Sequence, residues 1–203
     1  MVCNLAETLS EYATENWASD FLSSICHQLE QQEEIRGDGD EDTWDKLLAA
    51  VGKCQENRIL DILEMVTEYL SDEGWRLKFL LRPLLKTLAN LPESLCEWAN
   101  ERADQLLDSL DIDFLRDYGP SVCLFYARMG REDLLRFWLE KLTDPETPRW
   151  RDRIHLALGQ WEIERGNLDA PQARLREMKD GDERDELLEA LARALVKEKP
   201  LEA

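Results

Sequence analysis

Apolar side chains recur along this chain in steps of three and four with polar residues between them, the spacing of a single buried face on an α-helix. From Leu5 they run Leu5, Leu9, Tyr12, Trp17, Phe21, Ile25 and Leu29, which predicts one long helix or two with a bend, these side chains sharing one side. The segment ends at Arg36-Gly37-Asp38-Gly39-Asp40-Glu41-Asp42, where two glycines among acids favour a loop. Asp42 or Thr43 is placed to cap a second helix that turns Trp44, Leu47, Leu48 and Val51 to one face and stops at Gly52. A third helix, about Glu56 to Ser71, carries the stripe Ile59, Ile62, Leu63, Val66, Tyr69 and Leu70.

The stretch Trp75 to Ala89 is apolar on more than one side and belongs at the centre of the packing. Pro83 inside it removes a backbone donor, so a kink or a restart is expected there. A fifth helix follows Pro92 with Leu95, Cys96, Ala99, Ala103, Leu106, Leu107 and Leu110, and a short one covers Asp113 to Tyr118. Helices at about Ser121 to Met129, Glu132 to Leu142, Arg149 to Arg165, Ala170 to Met178 and Asp182 to Lys197 complete the pattern. No alternating β-branched run bounded by hairpin signals interrupts it. The predicted fold class is all-α, with about nine or ten helices stacked as antiparallel pairs.

A shift of 36 residues brings Gly130 onto Gly166, Asp133 onto Asp169, Leu139 onto Leu175, Leu142 onto Met178 and Asp144 onto Asp180. Val122 meets Leu158 and Phe125 meets Trp161 under the same shift. A helix, a Gly turn and a second helix, repeated, is how an α-solenoid is written, because one pair cannot bury its own apolar face. Leu158-Gly159 followed by Gly166-Asn167, with Tyr126 four residues before Gly130, resembles the tetratricopeptide family over about residues 120–200. Pro171 stands near a position where that family has Ala, Cys123 replaces its earlier glycine, and Glu162 takes the place of its aromatic residue. The resemblance implies helix pairs that present a groove, closed by Asp182 to Lys197 as a capping helix.

Charge narrows the partners. The 203 residues hold 44 acidic and 25 basic side chains, a net charge of −19. Residues 1–74 contribute 18 acids against 4 bases. Such a surface repels phosphate backbones and anionic lipid, which are held by Lys and Arg, and it attracts basic protein. Nucleic acid and membrane are therefore not expected as partners. The longest run without a charge, Tyr118 to Ala127, is about half a membrane span. Without a basic, then apolar, leader the expected location is cytoplasmic. Three regions emerge within what is expected to be one continuous domain: an acidic helical region at 1–74, a central hairpin at 75–119, and the repeat-like pairs at 120–203.

The chain offers little for catalysis. Its five cysteines are odd in number and widely spaced, as buried thiols are, and His27 and His155 are its only histidines. Asp152 and His155 share a helix face, one half of a di-iron pattern that has no second half here. Asp38, Asp40 and Asp42 open like a calcium loop, but Thr43 stands where the turn needs Gly and Ala49 where a closing Glu belongs. No catalytic residue, metal or cofactor is assigned. Arg149, Trp150 and Arg153 form a basic aromatic spot able to fork onto a carboxylate, or to pair with neighbouring acids such as Asp152 or Glu146. With Asp38, Asp40 and Asp42 they are the candidate partner-binding residues. The expected function is a non-enzymatic scaffold for a protein partner of basic character. A dedicated chaperone or immunity-type protein covering a basic or aggregation-prone client, and a small helical enzyme, are the alternatives.

Overall fold

The computed structural model describes the backbone of residues 11–31, 40–72, 77–142 and 148–198, and the side chains of 11–25, 42–67, 80–142 and 150–197. Among the described residues there are eleven α-helices and no strand. The chain divides into two compact units, Met1–Leu110 and Asp111–Ala203.

The first unit holds α1 (Asn16–Gln31), α2 (Asp40–Val51), α3 (Glu56–Asp72), α4 (Leu77–Leu88) and α5 (Cys96–Ser109), the last entered through a 3-10 turn at Glu93–Leu95. Its broadest contact is α2 on α4, while α1 lies on α2 and α3, and α5 on α3 and α4. Trp44, Leu47, Leu48 and Val51 of α2 are all buried, as are Ile59, Ile62, Leu63 and Val66 of α3. Leu80, Leu81, Leu84, Leu85 and Leu88 form one broad buried face of α4, which Pro83 and Thr87 widen. Each such side chain contributes about 1.5–3 kcal/mol by leaving water, which exceeds what one lost hydrogen bond costs. That balance explains why α4 runs through Pro83 without interruption.

Three expectations change here. On α1 the buried residues are Ala18, Ser19, Leu22 and Ile25, whereas Trp17 is 57% exposed and Phe21 45%. Both sets are helically spaced; the smaller side chains face α2 and α3 because bulkier rings would hold these helices apart. Neither Asp42 nor Thr43 caps α2, since the helix already begins at Asp40. Pro92 stands before the 3-10 turn rather than in the first turn of α5.

The second unit holds α6 (Ile112–Asp117), α7 (Gly119–Arg128), α8 (Glu132–Leu142), α9 (Pro148–Glu164), α10 (Asp169–Glu177) and α11 (Asp182–Glu198). Asp111 caps α6 by accepting a hydrogen bond from the Asp113 amide at 2.7 Å. Helices α7 and α8 pair, α9 and α10 pair, and α9 also lies between α7 and α11. Small residues set this closeness. A methyl group at residue 119 would stand 3.0 Å from Ile154 Cδ1, and one at residue 159 would stand 2.6 Å from Leu187 Cδ1.

The two glycine turns that lie 36 residues apart are built alike. Gly130 has φ 68° and Gly166 φ 76°, the left-handed conformation that favours glycine. At the first, the Arg131 amide donates to Tyr126 O and the Gly130 amide to Ala127 O. At the second, the Asn167 amide donates to Glu162 O and the Gly166 amide to Ile163 O, the same two-bond helix ending.

Candidate interaction surfaces and a buried polar cluster

The spot at the start of α9 comes together in part. The Arg153 guanidinium lies over the Trp150 ring at 5.1 Å, the cation on the electron-rich face. The side chain of Arg149 lies outside the described residues. Arg151, between them, turns to the other side of the helix. Its Nη2 pairs with Glu177 of α10 at 3.1 Å and its Nε donates to His155 Nε2 at 3.2 Å, so the acid that pairs with it comes from the next helix.

From Asp40 onward the acidic segment is helix. Asp38 lies outside the described residues, and Asp40 opens α2 with its side chain outside them. Asp42 is exposed and pairs with Lys46 one turn on at 3.1 Å. Because Asp40 to Ala49 are helical, the carboxylates cannot wrap a cation as calcium loops do. Among the described residues no group of three His, Cys, Asp or Glu is placed to hold a metal ion. The same α2 and α4 frame a depression of about 280 Å³, bridged by Lys86 Nζ on both oxygens of Asp45.

Behind the α9 spot lies a cluster that the sequence pattern did not assemble. Arg174 of α10 grips Glu162 of α9 with two bonds, Nε to Oε2 at 2.8 Å and Nη2 to Oε1 at 2.6 Å. Their side chains are only 18% and 10% exposed. His155 is buried beside them, with Arg174 Nη1 3.5 Å from its Nδ1. Arg151 Nε faces the other ring nitrogen, Nε2, and a neutral imidazole has one acceptor nitrogen, so it accepts from only one of these two guanidiniums. Burial first, and the facing Arg174 second, lower the imidazole to about 4, with Glu177 opposing and Arg151 adding to the shift. The imidazole is therefore neutral near pH 7.

Under the 36-residue shift, Glu162 corresponds to Tyr126 and Arg174 to Trp138. Those two rings stack at 6.5 Å with 11° between their planes. The second hairpin thus carries a buried ion pair where the first carries an aromatic pair. The visible sign in the sequence was Glu162 in an aromatic position. Its partner stays hidden until α9 and α10 are folded together.

Of the cysteines, Cys54 and Cys123 are buried and Cys96 half-buried, all free; Cys3 lies outside the described residues, as do the side chains of Cys26 and His27. Burial pushes the Cys54 thiol to about 11 and that of Cys123 to about 12.

One surface is anomalous for its apolar exposure. The Tyr12 ring rests on Trp17 at 5.7 Å, and Phe21 follows Trp17 by one turn of α1. Tyr12, Trp17 and Phe21 are 48%, 57% and 45% exposed, with Glu11, Glu15 and Asp20 exposed around them. Asp20 pairs with Arg58 of α3 at 2.8 Å, which ties the patch to the unit's frame.

No helix among the described residues is long and apolar enough to cross a membrane. No family model, no curated protein and no solved structure matches this chain.

Proposed function

We propose that this chain is a non-enzymatic protein-interaction scaffold whose partner presents apolar side chains among basic ones. The observation that carries the reading is the row Tyr12, Trp17 and Phe21 with its acidic surround. Aromatic rings left in water are the side chains that interfaces concentrate, because they bury much area at little conformational cost. The acids Glu11 and Glu15 add attraction for a basic partner and repel an acidic one. A basic or aggregation-prone client is the version of this partner that the charge favours.

In the same reading the second unit is a short tetratricopeptide-like stack: α7 with α8, α9 with α10, and α11 as the last helix. Three features support it. The glycine turns repeat at 36 residues with the same bonds, α9 lies between α7 and α11, and each such contact rests on a glycine.

The experiment is affinity capture with the full chain at low and at high salt, beside Trp17→Ser/Phe21→Ser. The expected result is a protein retained by the wild type, weakened by salt and lost with the double variant, whose circular dichroism stays helical. No retained protein, or retention indifferent to both ring substitutions and salt, refutes the reading.

A further inference from the structure

Of the five Leu and Val side chains of the last helix, only two are buried. Leu187 and Leu191 of α11 are covered, in a cluster with Leu175 and Met178. Leu188, Leu195 and Val196 are 48%, 40% and 65% exposed, and Ala192 between them is exposed too. At i, i+4, i+7 and i+8 these four share one face of the helix, a seam adjoining the buried side rather than the polar cap the pattern predicts.

We propose that this seam pairs with α11 of a second copy of the chain, antiparallel about a twofold axis at Ala192. Leu188 stands four residues before Ala192 and Val196 four after it, so reversal of one helix sets each Leu188 against Val196 of the partner subunit. The small Ala192 at the centre lets the two backbones approach closely. Charge selects this orientation. The first half of α11 carries Asp182, Glu183, Asp185, Glu186 and Glu189 against Arg184, the second Arg193 and Lys197 against Glu198. Glu189 and Arg193, paired now within one helix, lie on the same flank of the seam. In the antiparallel arrangement each Glu189 comes level, within one turn, with Arg193 of the partner subunit, whereas a parallel arrangement would set like charges side by side. A contact one helix wide is at the small end of stable interfaces, so the pairing is reversible and concentration-dependent. The chain's net charge of −19 opposes association, but at physiological salt charges more than about 8 Å apart are largely screened, so the charges flanking the seam weigh most.

Sedimentation equilibrium of the full chain at physiological salt tests this. The wild type is expected to rise from monomer to dimer mass as concentration increases. Leu188→Glu/Val196→Glu should weaken association about tenfold or more by placing carboxylates in the seam. Glu189→Arg alone and Arg193→Glu alone should each weaken it, while an equal mixture of those two variants should recover a heterodimer, since each supplies the charge the other lacks. All four positions are exposed, so the fold is not at risk. A wild type that stays monomeric, a dimer indifferent to Leu188→Glu/Val196→Glu, or a charge-variant mixture that stays monomeric overturns the proposal. Loss of the dimer in Trp17→Ser/Phe21→Ser alone would place self-association on α1 and overturn it equally, without touching the reading of α1 as a docking surface.

Discussion

Leu187 of α11 occupies the space that a side chain at Gly159 of α9 would need, its Cδ1 lying 2.6 Å and its Cδ2 2.8 Å from where a methyl group would be. Leu187 is fully buried and has nowhere to turn. Gly159→Ala should therefore lose stability, with overpacking of about 1–3 kcal/mol exceeding the gain in helix propensity of about 1 kcal/mol. Urea midpoints of the variant and wild type measure it; an equal or higher midpoint for the variant contradicts the packing described.

The Glu162–Arg174 clamp makes a second prediction. Arg174→Ala leaves a carboxylate buried without its counter-charge and should cost on the order of 3 kcal/mol. The first hairpin provides the apolar alternative. Glu162→Tyr/Arg174→Trp, which copies Tyr126 and Trp138, should recover most of that loss, because a packed aromatic pair needs no desolvated charge. Thermal unfolding of the three proteins decides it. A double variant less stable than Arg174→Ala would break the equivalence.

His155 sets a pH dependence. Its folded form resists a proton down to about 4, while the unfolded chain accepts one near 6.5. The unfolded state thus binds more protons in this window, and stability must fall as pH falls through it. The slope contributed by one such group approaches about 1.4 kcal/mol per pH unit. Denaturant titrations at pH 7, about 6 and about 5 should give a steeper decline for wild type than for His155→Gln, which cannot take up the proton. Parallel slopes would remove His155 from the account.

Thiol chemistry checks burial independently. Alkylation of the native chain at mildly alkaline pH, followed by peptide mass analysis, should modify Cys96 well before Cys54 and Cys123. Both buried thiols are held protonated by their surroundings as well as covered. Early modification of Cys123 would mean that α7 opens readily from α8 and α9.

How much of this was legible beforehand depended on side-chain size and on distance along the chain. The aliphatic stripes of α2, α3 and α4 could be read directly, because each is a continuous row at helical spacing on one side of its helix. Helix α1 misled: two equally periodic faces were available, and the one with Trp17 and Phe21 is the more hydrophobic but not the one that fits against its neighbours. Gly130 and Gly166 announced their turns. Local pairs such as Asp42 with Lys46 follow from spacing alone. The grip of Arg174 on Glu162, 12 residues apart, and that of Arg151 on Glu177, 26 apart, become visible only when α10 folds back on α9.

Two hairpins this similar run a risk while the chain is still folding, the exchange in which α7 takes α10 as its mate and α9 takes α8. The clamp discourages the exchange. In the crossed arrangement Tyr126 would meet a guanidinium, and Trp138 a carboxylate with no cation in reach, an error costing several kcal/mol. A charged lock in one hairpin and an aromatic one in the other let each helix know its own companion.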